Sequence, residues 1–428
     1  MKRYLLILVI SGLLFSLTAC SPSGSSPAAQ IVQSNKPRTA NPQASPDDLG
    51  ALNAGNSAFA FNLYQVLRSQ AGNLLFSPFS ISEALAMTYA GAGGETAQQM
   101  AAALHFTLPQ DRLHPAFNAL DLQLNSAGSA AQNSTDQGFK LSVVNALWGQ
   151  QGFTFLPPFL DTLSQNYGAG MHLLNFKDSA EPSRQAINAW VSAQTQKKIQ
   201  DLLPQGSVLP TTRLVLTNAV YFKAAWSFQF KPENTKDLPF FLSDGSQVNV
   251  PTMQQIESLG YAADNGVQVV ELPYSNSSLS MVILLPAAGT LDSFEASLDP
   301  ARLNSLLNNL STSQEVTLTL PKFKFDASFN LNDALSALGM PDAFDASKAD
   351  FSGMDGQKDL LIQGVLHKAY IAVDEQGTEA AAATGVVVGL MAMPAGNVTV
   401  NIDHPFLFLI TDRSSGTILF VGRVVDPR

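Results

Sequence analysis

From Leu214 to Phe222 the chain reads Leu-Val-Leu-Thr-Asn-Ala-Val-Tyr-Phe, an almost unbroken apolar run. Such a run is expected of a strand buried on both faces, which requires a sheet covered by other layers. Further strands are read at Leu279 to Leu285, Val316 to Phe325, Ala369 to Asp374, Phe406 to Thr411 and Thr417 to Val424. Helical patterns fill most of 53–120 and 181–203, with another near 330–339. In the first of these, Phe59, Leu63, Val66 and Leu67 recur at helical spacing. Ser80-Ile81-Ser82-Glu83 has the form of a capping box and predicts a helix start there, ended by Gly91, Gly93 and Gly94. Thr96-Ala97-Gln98-Gln99 repeats the pattern and opens another helix. Helices are enriched early and strands late, with little strict βαβ alternation. That distribution favours an α+β fold over a doubly wound one.

The start reads as a leader. Lys2 and Arg3 form a positive head, and Leu5 to Leu17 is apolar but too short to span a bilayer as a stable helix. It ends Leu17-Thr18-Ala19-Cys20, which resembles the lipobox of bacterial lipoproteins. Residues 1–19 are then a signal peptide, and Cys20, the single cysteine of the protein, carries lipid. The mature chain has no intramolecular disulfide despite export to the cell envelope. Stable anchoring needs more than one acyl chain on Cys20. Residues 21–50 are Ser, Pro, Ala, Asn and Gln with few large apolar groups, too few to offset ordering entropy, and read as a flexible tether. Residues 51–428 read as one continuous domain, expected to be monomeric.

Several function classes are excluded or unsupported. The net charge of −10 disfavours nucleic acid, which needs a cationic footprint. The five histidines (His105, His114, His172, His367 and His404) share no metal-ligand spacing, and one lipidated cysteine builds no thiolate site. There is no nucleophile elbow and no phosphate loop. Gly91-Ala92-Gly93-Gly94 follows a helix rather than a strand, so it is not read as a nucleotide loop. The chain is not expected to be an enzyme, to need a cofactor, or to carry a concentrated basic patch for a polyanion.

Seven stretches in order resemble the serpin family. They are Asn73 to Ser82 (NLLFSPFSIS), Thr217 to Trp226 (TNAVYFKAAW), Leu320-Pro321-Lys322-Phe323, Leu338 to Phe344 (LGMPDAF), His367-Lys368-Ala369, Asp403 to Phe408 (DHPFLF), and Phe420 to Val424 (FVGRV). The resemblance covers essentially all of 51–428. The resemblance implies the serpin fold, helices packed around mixed and antiparallel sheets, with an exposed reactive-centre loop at about 376–404.

Glu375-Gln376-Gly377-Thr378-Glu379-Ala380-Ala381-Ala382-Ala383-Thr384 looks like the hinge of inhibitory serpins. A run of small residues after glycine cannot make a core by itself, but it can slide between existing strands. Strand side chains alternate, and a solvent-facing Glu379 puts Thr378, Ala380, Ala382 and Thr384 on the buried face. Val386, Val388 and Leu390 continue that parity.

The implied mechanism is suicide trapping. A protease serine attacks the loop and forms an acyl-enzyme. The freed hinge then enters the main sheet, a recognised case of strand addition and of stored strain released. By family spacing from Glu375, the reactive bond is Met391–Ala392, with Leu390 and Met393 as alternatives. These uncharged residues suit elastase-, chymotrypsin- or subtilisin-like pockets and not a trypsin-like one. Serine proteases are the expected partners, with cysteine proteases as a second class. The stretch from Met391 to Pro405 is a few residues longer than usual, and Gln376 stands where a charge is common. Ser77, Ser80, Asn218 and His367 match family residues near where the sheet opens, with a hydrogen-bond network Asn218–His367 expected. Lys322 and Glu375, beside Trp226, match the pair at the top of the sheet. The alternative reading is a non-inhibitory carrier or chaperone on the same fold, which bulky or charged hinge residues would favour.

Overall fold

A computed structural model of the chain describes residues 29–131, 140–378 and 398–428. In chain order its strands are β1 (Gln30–Val32), β2 (Leu74–Phe76), β3 (Lys140–Gln150), β4 (Met171–Leu174), β5 (Leu214–Ala225), β6 (Lys236–Phe241), β7 (Gln247–Asp264) and β8 (Val267–Pro273). They continue with β9 (Leu279–Pro286), β10 (Ser311–Pro321), β11 (Phe323–Asn330), β12 (Ile362–Asp374), β13 (Gly377–Thr378), β14 (Val398–Asn401), β15 (Phe406–Asp412) and β16 (Ile418–Val424). The helices that matter to the site are α1 (Pro46–Leu67), α2 (Pro78–Tyr89), α3 (Gly94–Ala103), α4 (Gln110–Ala131), α5 (Pro157–Tyr167) and α6 (Phe176–Gln194).

Two mixed sheets result, as the α+β reading expects. The first has the order β1-β4-β3-β5-β13-β12-β11, and the second β14-β10-β7-β8-β9-β15-β16-β2 with β6 on β7. Strand β5 is indeed buried on both faces. Leu214, Leu216, Val220 and Phe222 enter the main core, which also holds Phe79 of α2 and Phe408 of β15. Val215 and Ala219 point the other way, into a smaller core with Trp148, Phe176, Ile187 and Val191, the last three from α6. The apolar run of the sequence is therefore the middle of a three-layer sandwich.

Five boundaries differ from the sequence reading. The tether does not extend to residue 50. Strand β1 pairs antiparallel with β4, Lys36 bridges Asp161 at 2.7 Å, Arg38 bridges Asp121 at 2.7 Å, and α1 begins at Pro46 behind a Ser45–Asp48 capping box. Backbone pairing and two ion pairs hold this poorly apolar segment where burial alone would not. Helix α2 starts at Pro78 with Ser77 as its cap, three residues before the predicted box, because Glu83 is buried and engaged elsewhere. Helix α3 likewise starts at Gly94, and Thr96 instead accepts from the Asp350 backbone N–H at 3.0 Å. The strand read as Val316 to Phe325 is two strands in different sheets, parted at Lys322, whose N–H bonds the Pro251 carbonyl at 2.8 Å. The helical pattern at 181–203 stops at Gln194, where Asn188 turns the chain by bonding both backbone groups of Leu203.

Candidate functional site

The site is a seam in the centre of the first sheet. Strands β5 and β12 run parallel and pair directly, from Leu214 with Ile362 to Tyr221 with Tyr370. Beyond that they part, and β13 fills the gap, antiparallel to both neighbours. Thr378 lies opposite Val373 and Ala224, and Gly377 opposite Asp374 and Ala225. Only glycine fits at 377: a Cβ there would run into the Ala224 carbonyl. Thr378 is fully buried, and its hydroxyl shares a 2.7 Å hydrogen bond with Tyr274.

The turn before β13 is clamped from several directions. The Trp226 N–H donates to the Gln376 carbonyl and the Phe230 N–H to the Glu375 carbonyl, both at 2.9 Å. The Trp226 indole stacks on Tyr274 at 4.7 Å between centroids and donates through Nε1 to the Asp374 carbonyl at 3.0 Å. The Glu375 carboxylate takes Lys322 Nζ at 2.8 Å on one oxygen and the Thr235 hydroxyl at 2.8 Å on the other. Burial pushes the Glu375 pKa up, but these bonds outweigh it and hold the group below the usual glutamate value.

Lower in the seam a polar chain crosses the apolar core. The Ser77 N–H donates to His367 Nε2 at 3.3 Å, so the proton of this neutral ring sits on Nδ1 and points at Asn218 Oδ1. The Asn218 amide donates to Ser80 Oγ and Asn145 Oδ1, and the Asn145 amide donates to Glu83 Oε2 at 2.8 Å. Every donor points the same way, from the backbone of Ser77 to the carboxyl of Glu83. His367 is fully buried, which pushes its pKa down to about 3, so the ring is neutral at physiological pH. Phe329 stacks on its face at 6.2 Å.

The fold thus brings Ser77, Ser80, Asn218 and His367 together in mid-seam, and gathers Trp226, Lys322, Glu375, Gly377 and Thr378 at its upper end. Glu379, Ala380, Ala381, Ala382, Ala383 and Thr384 of the expected hinge lie outside the described residues, as do Leu390, Met391, Ala392, Met393 and Cys20. Sequence reasoning missed Asn145, Glu83, Tyr274 and Thr235. Asn145 carried a signal, an amide interrupting the run Val143-Val144-Asn145-Ala146-Leu147. Glu83 stands in a capping pattern, and nothing local marks Tyr274 or Thr235. No group of residues suited to a metal ion occurs among the described residues.

Comparison with known proteins agrees with this geometry. The family model "Serpin (serine protease inhibitor)" matches residues 54–427. The leukocyte elastase inhibitor of Homo sapiens is 40% identical over 388 residues, covering 88% of this chain and 99% of that protein. An uncharacterized serpin-like protein of Thermococcus kodakarensis is 39% identical over 380 residues, covering 88% and 86%. Among solved structures, native tengpin, a thermophilic serpin, superposes with a TM-score of 0.82 at 28% identity, covering 93% of this chain and all of that one. The chain belongs to the serpin family.

Proposed function

We propose that the chain is a single-use inhibitor of serine proteases that traps its target by inserting its own cleaved loop into the β5–β12 seam. Inhibition itself is supported by family membership and by relatives named leukocyte elastase inhibitor. The observation that carries the trapping mechanism is β13, two residues already seated between β5 and β12 in antiparallel register with both. Continuing that register down the seam gives a definite outcome. Six residues beyond Thr378, Thr384 comes opposite both His367 and Asn218, and its hydroxyl can take over the bond they now make to each other. Ala380 and Ala382 come opposite Phe222 with Ile371 and Val220 with Ala369, where small side chains fit. Val388 reaches Leu214, the first residue of β5, and Gly389 reaches Ile362, the first of β12. The slot is then full, and Met391 lies just past its end.

This length match supports Met391–Ala392 as the reactive bond. The protease would be carried the length of about 13 residues of strand, on the order of 40 Å. Insertion exchanges one parallel ladder for two antiparallel ones. A net gain on the order of a dozen backbone hydrogen bonds, at about 1 kcal/mol each, is on the order of 10 kcal/mol. That is comparable with the whole stability of an ordinary domain. Uncharged Met391 suits elastase-, chymotrypsin- or subtilisin-like targets.

Cys20 is proposed as the lipid anchor of an exported protein. With the chain packed from β1 onward, the tether is about ten residues, at most roughly 35 Å when extended, so the inhibitor stays near the membrane surface. The test of function is incubation with a panel of purified serine proteases followed by denaturing electrophoresis. A covalent conjugate with an elastase- or chymotrypsin-like enzyme is expected. Cleavage of the loop by every such enzyme without any conjugate refutes trapping.

A further inference from the structure

Strand β1 sets where the chain leaves the folded body. Ile31 lies opposite His172 of β4, His172 opposite Trp148 of β3, and Trp148 opposite Val215 of β5. Residues directly opposite share one face of a sheet, so Ile31 stands on the outer face, the face that α6 covers. There His172 packs edge-on against Trp190 of α6, at 5.1 Å between centroids, and Ala29 packs against the same small core. Ile31 is 55% exposed, the most open large apolar side chain among the described residues, and Trp190 is only partly buried. Burial lowers the His172 pKa, so that ring is uncharged at neutral pH. The cations that follow in the strap, Lys36 and Arg38, are each paired with a carboxylate. An uncharged aliphatic and aromatic patch therefore sits beside the point where the chain emerges.

We propose that this patch, Ile31 with Trp190, is the surface that rests on the lipid bilayer, at the boundary between headgroups and acyl chains. The inference rests on Cys20 being the anchor, as proposed above. The occupant follows from reach. Only residues 21–28 separate Cys20 from Ala29, a tether of at most roughly 35 Å. A body of this length has a radius of gyration of roughly 21 Å and is about 55 Å across. So short a tether cannot leave β1 on the far side of the body, and the β1 corner faces the bilayer. Tryptophan and aliphatic side chains are the groups that partition to the headgroup boundary. The same row places the seam relative to that surface. Val215 is next to Leu214, the lower end of the slot, whereas Thr378 lies opposite Ala224 at the upper end. Residues 215 to 224 of β5 span about 30 Å. The hinge end is therefore held that far along the strands from the contact row, open to proteases in the aqueous phase.

The test couples the mature chain, from Cys20 onward, through that single thiol to a maleimide phospholipid in phosphatidylcholine vesicles. In one set of vesicles the acyl chains carry bromine just below the headgroups, which quenches indole emission at contact range. Trp148 and Trp226 are each 1% exposed, so quenching reports Trp190. The coupled wild type should emit less in brominated than in plain vesicles, and Trp190→Phe should abolish the difference. Ile31→Asp, which puts a charge at the boundary, should cut it at least twofold. Ile31→Thr, which keeps a β-branched residue on β1, should also cut it and serves if the charge detaches the strand. Phe228→Asp, at an exposed aromatic beside the hinge end, should leave it unchanged. Equal emission in the two vesicle types, quenching that survives Trp190→Phe, or a loss in Phe228→Asp rather than in the Ile31 variants overturns the surface and leaves the anchor standing. Chemical coupling does not depend on lipidation by a cell. A wild-type chain that a lipoprotein-processing cell leaves without lipid overturns the anchor, and the proposal with it.

Discussion

Replacing Thr378 with Arg tests insertion at its first step. Thr378 is fully buried against Tyr274, between Ala224 and Val373. An arginine there must either bury an unpaired guanidinium, at several kcal/mol, or expel β13 from the gap. If about 3 kcal/mol of that penalty appears in the barrier to insertion, the step slows roughly 100-fold. The acyl-enzyme then hydrolyses before the protease is displaced. Expected on denaturing gels is a cleaved Thr378→Arg chain, free active protease, and almost no conjugate. Two controls separate charge from general damage. Glu379→Arg, on the opposite parity, should still trap. Thr378→Val keeps the shape but leaves the Tyr274 hydroxyl buried and unpaired, costing about 1–3 kcal/mol of stability, and should also trap. Undiminished conjugate with Thr378→Arg would refute insertion between β5 and β12.

Met391→Arg should redirect inhibition toward trypsin-like proteases, and the C-terminal peptide released from wild type should begin at Ala392 by mass spectrometry; a start at Met391 or Pro394 moves the bond. Burial lowers the pKa of His367 to about 3 and of His114 to about 4, so each stays neutral in the fold while the unfolded chain takes up a proton below about 6.5. Their stability contribution is full above pH 6.5 and declines as pH falls toward 4, by up to about 1.4 kcal/mol per unit per group, partly opposed by Glu83, whose raised pKa favours the fold at the acid end. The melting temperature should therefore drop from pH 6.5 to 4, and the drop should be shallower in His114→Gln; a flat profile contradicts this. Glu375→Lys places a like charge against Lys322 and should lower the melting temperature and speed spontaneous loss of inhibitory activity, which Lys322→Glu in the same chain should partly restore. Cys20→Ser should abolish lipid labelling in a cell that processes lipoproteins; an unlabelled wild type removes the anchor.

What could be read from the sequence was what short range encodes. Leu214 to Phe222 announces a doubly buried strand by composition alone, and Asn218 within it announces a buried amide in need of a partner. The hinge is proposed from the sequence because glycine, threonine and alanines in a row are unusual and sit beside recognisable family stretches; of it, the described residues include Gly377 and Thr378. The rest depends on pairings between distant residues. Arg38 and Asp121, or Lys36 and Asp161, give no local sign of one another, so a segment held by them looks like a free tether. The break at Lys322 is invisible because both flanking halves are good strands, and only the Pro251 carbonyl fixes where the chain changes sheets. Glu83 satisfies a capping pattern by accident, while its carboxyl is drawn inward by Asn145, a residue 62 positions away.

On the proposed mechanism the seam must hold and then separate, and its composition suits that. An apolar contact between β5 and β12 at the level of Asn218 would gain from burial at every approach and would resist parting. A polar chain behaves differently. Its bonds contribute only about 1 kcal/mol each when complete, and each costs more when a partner is lost. Ser77, Ser80, Asn145, Asn218 and His367 are therefore secure while the strands remain in register and vulnerable once the upper end is pulled open. The upper end is where β13, Trp226 and the Lys322–Glu375 pair sit, so the proposed insertion would open the seam from there. A strand advancing from that end would meet Asn218 and His367 with Thr384, one of the few hinge residues able to satisfy them. Alanine at 384 would leave both buried groups short of a partner, so Thr384→Ala should slow the later part of insertion while leaving its first step intact. Partial trapping, with more substrate turnover than wild type but less than Thr378→Arg, is the result that fits this order of events. A Thr384→Ala chain that traps as well as wild type would mean that the polar chain does not lie on the insertion path.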